Sequence, residues 1–212
     1  MPLRLLLVRH GLSSFNQERR IQGRDDLSGL TEAGHEQARR LGASLAEVPL
    51  SAVYSSPLQR AASTTASLLE GRGAPAPEPI FDDGLLEVDL EPWSGLRLSD
   101  LTEQHPEDYG VWKRQPLELQ LQRNDGSTYK PLAELMEQAR GTIDALLKRH
   151  PVDGDDTVLV VAHNAILRCL MLVLLNEPDN GFRRLRVDNT SLSIFNLRPG
   201  EDQPQVQIEC LN

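Results

Sequence analysis

Two cysteines, three lysines and 4% aromatic residues are the scarcities of this 212-residue chain. Two thiols, Cys169 in an apolar run and Cys210 near the C-terminus, supply neither a disulfide framework nor a metal site, and both are expected as buried thiols. Long apolar runs are missing too. The longest, 165–175, is interrupted by Arg168 and falls well short of the roughly 20 residues a membrane span needs. The N-terminus enters an apolar strand at once, without the basic, apolar and small-residue regions of a secretory leader, so a cytoplasmic location and no membrane partner are expected. Positive charge is short: the net charge is −9, which gives nucleic acid no general electrostatic footing.

What remains is an ordinary globular composition, 39% hydrophobic and 25% charged, expected to form one domain over 1–212. The basic residues are lopsided, 19 arginines to the three lysines. That bias matters where an arginine falls inside a motif, because the guanidinium fork matches phosphate and carboxylate oxygens.

Residues 3–8 are nearly all apolar, as in a strand buried on both faces of a parallel sheet. Ala38, Leu41, Leu45 and Val48 give helical spacing over 31–48, and 52–54 is a short strand. Ser55-Ser56-Pro57 then reads as an N-cap serine with proline at the first helical position, opening a helix to about 69. A proline-rich loop over 71–79 leads to an acidic stretch without period over 85–95, then short helices near 99–105 and 107–113. An amphipathic helix runs over 131–150, followed by an apolar strand at 158–162 and a helix apolar nearly all round. Strands at 191–197 and 206–211 close the chain, expected at a sheet edge where a homodimer could pair. Alternation of strand and helix predicts an α/β fold, a three-layer αβα sandwich with a mostly parallel sheet and an edge strand.

Two strands end alike: Leu-Leu-Leu-Val runs into Arg9-His10-Gly11, and Val-Leu-Val-Val-Ala into His163-Asn164. Ligands of open α/β sheets bind beyond the carboxyl ends of the strands, so both imidazoles are expected to face one crevice. His35, His105 and His150 have no such setting. Arg60 falls in the first turn of its helix, where the macrodipole disfavours a cation unless a bound anion reverses the preference. With Arg9 it offers two guanidinium groups to brace a phosphoryl group, a task that Mg²⁺ performs in many enzymes, so no metal and no cofactor are expected. A nucleophilic histidine must be neutral at its attacking nitrogen, which nearby arginines favour. The leaving oxygen needs a proton, and Asp82, Asp83, Glu87, Asp89 and Glu91 are all candidates that spacing does not separate.

Together these segments resemble the histidine phosphatase superfamily, the phosphoglycerate-mutase-like enzymes, over nearly the whole chain. The matching pieces are Arg9-His10-Gly11 with Asn16, Arg20-Ile21-Gln22-Gly23, Leu30 to Gly34 with Gln37-Ala38, Ser55 to Ala61, Leu86-Glu87 with Trp93-Ser94-Gly95, and Val161 to Asn164. The resemblance implies that His10 becomes phosphohistidine, that Arg9, Arg60 and His163 hold the phosphoryl oxygens with Asn16, and that Glu87 is the proton carrier. Leu12 stands where the family often has Glu or Gln, and Asn164 where it usually has Gly; both positions belong to the pocket wall. Arg20, Gln22, Gly23 and the 109–129 region are expected at the mouth. The motifs are most similar to the cyanobacterial and plant branch, which includes enzymes resembling 2-carboxy-D-arabinitol 1-phosphatase and metal-independent phosphoserine phosphatase.

The expected activity is therefore a phosphomonoesterase acting on a small phosphorylated metabolite: a sugar phosphate, a carboxy-sugar phosphate or phosphoserine. A phosphoglycerate mutase is the alternative, disfavoured because 100–130 lacks the basic, proline-rich insert of the family's mutases. A non-catalytic phospho-ligand module is a third reading, and it predicts the loss of a catalytic group that this chain retains.

Overall fold

The computed structural model, which describes residues 2–201 and 203–212, brings the apolar segments from both halves of the chain into one sheet. In chain order the elements are β1 (Leu3–Arg9), α1 (Ser14–Gln17), α2 (Glu32–Ser44), β2 (Ala52–Ser55), α3 (Gln59–Arg72), β3 (Ile80–Phe81), α4 (Leu98–Gln104), α5 (Pro106–Arg114), β4 (Leu121–Gln122), β5 (Thr128–Tyr129), α6 (Pro131–Arg149), β6 (Thr157–Ala162), α7 (Asn164–Leu174), β7 (Leu192–Arg198) and β8 (Gln205–Cys210). The main sheet has the order β3-β2-β6-β1-β7-β8. Its first four strands are mutually parallel, while β7 pairs antiparallel with both β1 and β8; β4 and β5 form a separate small ladder.

Side-chain alternation along β1 divides the core. Leu5 and Leu7 point into the cluster that holds Leu135 and Ile143 of α6 and Ile166 and Leu170 of α7. Leu6 and Val8 point the other way, onto Leu45 just after α2 and Leu68 of α3. The result is the expected αβα layering, with a mostly parallel sheet in the middle. Helices α2 and α3 lie so close that a Cβ on Gly42 would sit 2.0 Å from the Leu68 carbonyl oxygen, and one on Gly71 would sit 2.2 Å from that of Arg39.

Several local expectations need correction. Helix α2 stops at Ser44 and the chain turns through 45–47, so Val48 lies outside it. Helix α3 opens at Gln59 with Leu58 at its N-cap, leaving Pro57 before the helix. Ser56 lies two residues before that cap, where its hydroxyl accepts from the Leu58 N–H at 3.4 Å and also reaches His163 Nε2 at 2.7 Å. Strand β7 is not an edge: it pairs with β1 on one side and β8 on the other, because the chain folds back as a hairpin. The edge on this side is β8, mostly exposed, and Cys210 at its end is an exposed thiol rather than a buried one; Cys169 is buried as expected. Among the described residues no helix is long and apolar enough to cross a membrane.

Candidate active site

Strands β1 and β6 are neighbours in the parallel ladder, with Arg9 in register with Ala162, so the residues that follow them emerge side by side. The His10 N–H donates to the Ala162 carbonyl at 2.9 Å, and the two imidazole rings stand 5.2 Å apart between centroids. The loop after β1 is then pressed onto α2 and α3. A Cβ on Gly11 would meet the Gly34 carbonyl oxygen at 2.7 Å, and one on Gly34 would meet that of Leu12 at 2.3 Å. The Gly11 N–H donates to Thr64 Oγ1 at 2.9 Å. Asn189 completes the hold: its amide nitrogen lies 3.1 Å from the His10 carbonyl oxygen and 3.1 Å from Asn16 Oδ1.

His10 is buried, and its Nδ1 lies 2.8 Å from the Gly11 carbonyl oxygen. A carbonyl only accepts, so the proton sits on Nδ1 and the Nε2 lone pair is free. Burial holds His10 well below the ordinary histidine range, and Arg9 and then Arg60 push it further down. His163 is depressed likewise, by burial first, then by Arg60, His10 and Arg9. Ser56 Oγ accepts from the Leu58 N–H at 3.4 Å and lies 2.7 Å from His163 Nε2, which fixes the place of the second ring.

A cavity of about 200 Å³ opens here, and Arg9, His10, Asn16, Gln22, Gly23, Arg60, Glu87 and Asn164 all line it. His163 does not; it lies a layer deeper, fully buried beside His10. Leu12, expected in the pocket wall, does not line it either, because its backbone is held against Thr31 and Gly34 at the start of α2. Arg60 is fixed by two backbone carbonyls, of Gly23 at 2.7 Å and Asp25 at 2.8 Å, and thereby anchors the loop that carries Gln22. Gly23 adopts a φ of +52°, a left-handed conformation that glycine takes without strain. Gln22 Oε1 accepts from Ser13 Oγ at 3.0 Å. Arg9 donates to the Val187 carbonyl at 2.8 Å.

Of the five candidate carboxylates, only Glu87 lines the cavity. Asp82 accepts from the Gly84 N–H, Asp89 pairs with Arg123, Glu91 accepts from Asn124, and Asp83 is exposed. Both oxygens of Glu87 accept from the Ala165 N–H, at 3.0 and 3.1 Å, and one also accepts from Ile166 at 3.1 Å. The carboxylate therefore caps the first turn of α7, where the helix dipole favours negative charge. This contact spans 78 residues, which is why spacing alone could not single out Glu87.

Arg168, Phe182 and Arg183 also line the cavity, and Trp112 is its one lining residue from the 109–129 region. Sequence reasoning assigned no role to Arg168, although a single charge in an apolar helix was the available signal. Among the described residues, Arg9 Nε, Arg60 Nε, His163 Nδ1, Asn164 Oδ1 and Arg168 Nε are buried without a hydrogen-bond partner. Four of these groups belong to residues that line the cavity, which suits a polar ligand, and three of the four are donors, as an anion requires.

A histidine pair flanked by arginines, with one carboxyl group, thus stands at the carboxyl end of a parallel sheet. The family model for the histidine phosphatase superfamily (branch 1) matches residues 5–208, and the chain belongs to that superfamily. It is 31% identical to phosphoserine phosphatase 1 of Hydrogenobacter thermophilus over 195 residues, covering 92% of this chain and 87% of that protein. It is 32% identical to a probable 2-carboxy-D-arabinitol-1-phosphatase of Arabidopsis thaliana over 209 residues, 99% of this chain but only 41% of the longer plant protein. A probable phosphoglycerate mutase GpmB of Shigella boydii is also similar, 31% over 192 residues, 90% of this chain and 83% of that one. Among solved structures, Bacillus stearothermophilus YhfR superposes with a TM-score of 0.83 at 29% identity, covering 98% of this chain and 96% of that one.

Proposed function

We propose that this chain hydrolyses small phosphomonoesters through a phosphohistidine on His10, without a metal ion. The observation that carries the reading is the state of His10: a buried ring, held neutral, with Nδ1 tied to a carbonyl and Nε2 free beside two arginines and a carboxyl group. In the first step His10 Nε2 forms a bond to phosphorus as the ester P–O bond breaks, and Glu87 gives the leaving oxygen its proton. In the second a water oxygen attacks phosphorus, its proton passes to Glu87, the N–P bond breaks and phosphate departs. Arg9 and Arg60 stabilise charge on the equatorial oxygens, and His163 backs the His10 ring from beneath the cavity. Gln22, Gly23, Asn16 and Asn164 shape the walls. The names of the similar proteins support substrates of the size of phosphoserine or a carboxy-sugar phosphate, which a cavity of about 200 Å³ suits.

The test is turnover of p-nitrophenyl phosphate in excess EDTA by the wild type and by His10→Ala. Activity that resists EDTA and is lost in the variant supports the reading; activity undiminished in the variant refutes the nucleophile. Incubation with 3-phosphoglycerate and a bisphosphoglycerate primer decides against a mutase if free phosphate, and not the isomer, accumulates. No turnover of any phosphomonoester leaves the binding-module reading in its place.

A further inference from the structure

Arg168 is the one charged residue of α7, whose other side chains are almost all apolar and buried. It lies four residues after Asn164, on the same face and one turn, about 6 Å, farther along, and both residues line the cavity. Arg60 has both terminal guanidinium nitrogens on backbone carbonyls, and Arg9 has one. Arg168 differs: among the described residues its side chain makes no hydrogen bond and no ion pair, and its Nε is buried and unpartnered. What positions it is a face contact, its guanidinium carbon 5.2 Å from the centre of the Phe182 ring. Stacking fixes the plane of a guanidinium and leaves its edges, where the donors are, unused. Phe182 is in turn flanked by Trp112 at 6.0 Å and is fully buried, so the platform is firm. Arg183, at the rim, lies over the same two rings and donates to the Trp112 carbonyl.

We infer that Arg168 selects the substrate by binding a carboxylate one helical turn from the phosphoryl group, so that the preferred substrates are short phosphomonoesters bearing a carboxylate. The inference rests on the phosphatase reading above and adds a specificity residue to it. Charge supports it. Glu87 is the one carboxylate lining the cavity with Arg9, Arg60 and Arg168; Asp188 lies near Arg9 and Asp25 and Asp26 near Arg60, whereas Arg168 has Glu87 alone, so a phosphate held by the two arginines beside His10 leaves Arg168 unmatched. A single planar fork suits a planar carboxylate.

The experiment compares 3-phosphoglycerate with glycerol 3-phosphate, which carries a hydroxymethyl group in place of the carboxylate, in the wild type, Arg168→Met and Arg168→Lys. Phosphate release is followed for both substrates, and the readout is the ratio of the two kcat/KM values within each protein, so any general loss of activity cancels. The wild type is expected to prefer the carboxylate substrate by about 10- to 100-fold, the range of one charge-assisted hydrogen-bonded contact, with the difference mostly in KM. Arg168→Met is expected to bring the ratio to near one, and Arg168→Lys to restore part of it. A ratio unchanged in Arg168→Met, or an equal or complete loss on both substrates, would overturn the inference. So would a preference that appears only with a bisphosphate, which would make the second group a phosphate. If the wild type releases phosphate from neither these esters nor p-nitrophenyl phosphate, it is the phosphatase reading that fails; wild-type turnover without an Arg168-dependent ratio fails this inference alone.

Discussion

Glutamine in place of Glu87 separates a structural duty from a chemical one, and the two are measured independently. The carboxylate holds the first N–H groups of α7 and also accepts from its own neighbour, the Val88 N–H, at 2.9 Å. Glutamine keeps one oxygen for these donors but turns an amide NH₂ toward the others. Hydrogen bonds to charged groups contribute about 1.5 to 3 kcal/mol each, so losing one such contact should cost roughly that much stability. For a chain of this size that corresponds to a fall in Tm of roughly 3 to 12 °C, read by calorimetry. The chemical effect depends on the leaving group. An alkoxide needs a proton as it departs, and removing a positioned general acid costs about 10²- to 10⁴-fold. Nitrophenolate departs without one, so p-nitrophenyl phosphate should lose far less in its first step. The assay is single-turnover phosphoryl transfer on glycerol phosphate and p-nitrophenyl phosphate, which isolates that step from hydrolysis of the phosphohistidine. An equal loss on both substrates would refute Glu87 as the acid and leave it only the helix cap.

Three further outcomes follow from the packing and titration. Gly42→Ala forces α2 and α3 apart at a 2.0 Å contact with backbone, and is expected to destabilise by about 1 to 3 kcal/mol in denaturant titrations while the cavity residues stay in place. Because burial holds His10 and His163 below the ordinary histidine range, the unfolded chain takes up their protons first; stability is expected to fall as pH drops below about 6.5, by up to about 1.4 kcal/mol per pH unit for each histidine, and His10→Asn should flatten that limb. A neutral maleimide should label one thiol per native chain, at exposed Cys210, and two after denaturation, since Cys169 is buried and burial pushes its thiol up; mass spectrometry reads the sites.

What the sequence made legible was whatever a short window decides. The runs before His10 and His163 are apolar because their strands are covered on both faces, so both strands and their carboxyl ends could be placed without coordinates. The start of α3 was misplaced because Leu58, extended and without a capping side chain, holds the N-cap position that the serine and proline before it advertise. Glu87 could not be separated from four other acids, since its partner is the end of a helix 78 residues on. The order of the last strands was missed because a hairpin buries β7 by supplying β8, and no pattern within β7 announces that. Arg168 stood out as a charge among apolar residues, yet its use depends on Phe182, which reaches it from the segment Asp179–Arg184.

The neighbouring positions of β1 and β6 have a consequence for how such an enzyme can diversify. Adjacent strands lie about 4.8 Å apart by hydrogen bonding alone, close to the 5.2 Å between the two imidazoles, so the sheet itself gauges the histidine pair. The walls that meet the rest of the substrate come from elsewhere, from the loop at Gln22, from α5 and from the turn at Phe182. Exchanging those segments would retune selectivity while the gauge stays set, which makes the scaffold a natural starting point for redirected phosphatases.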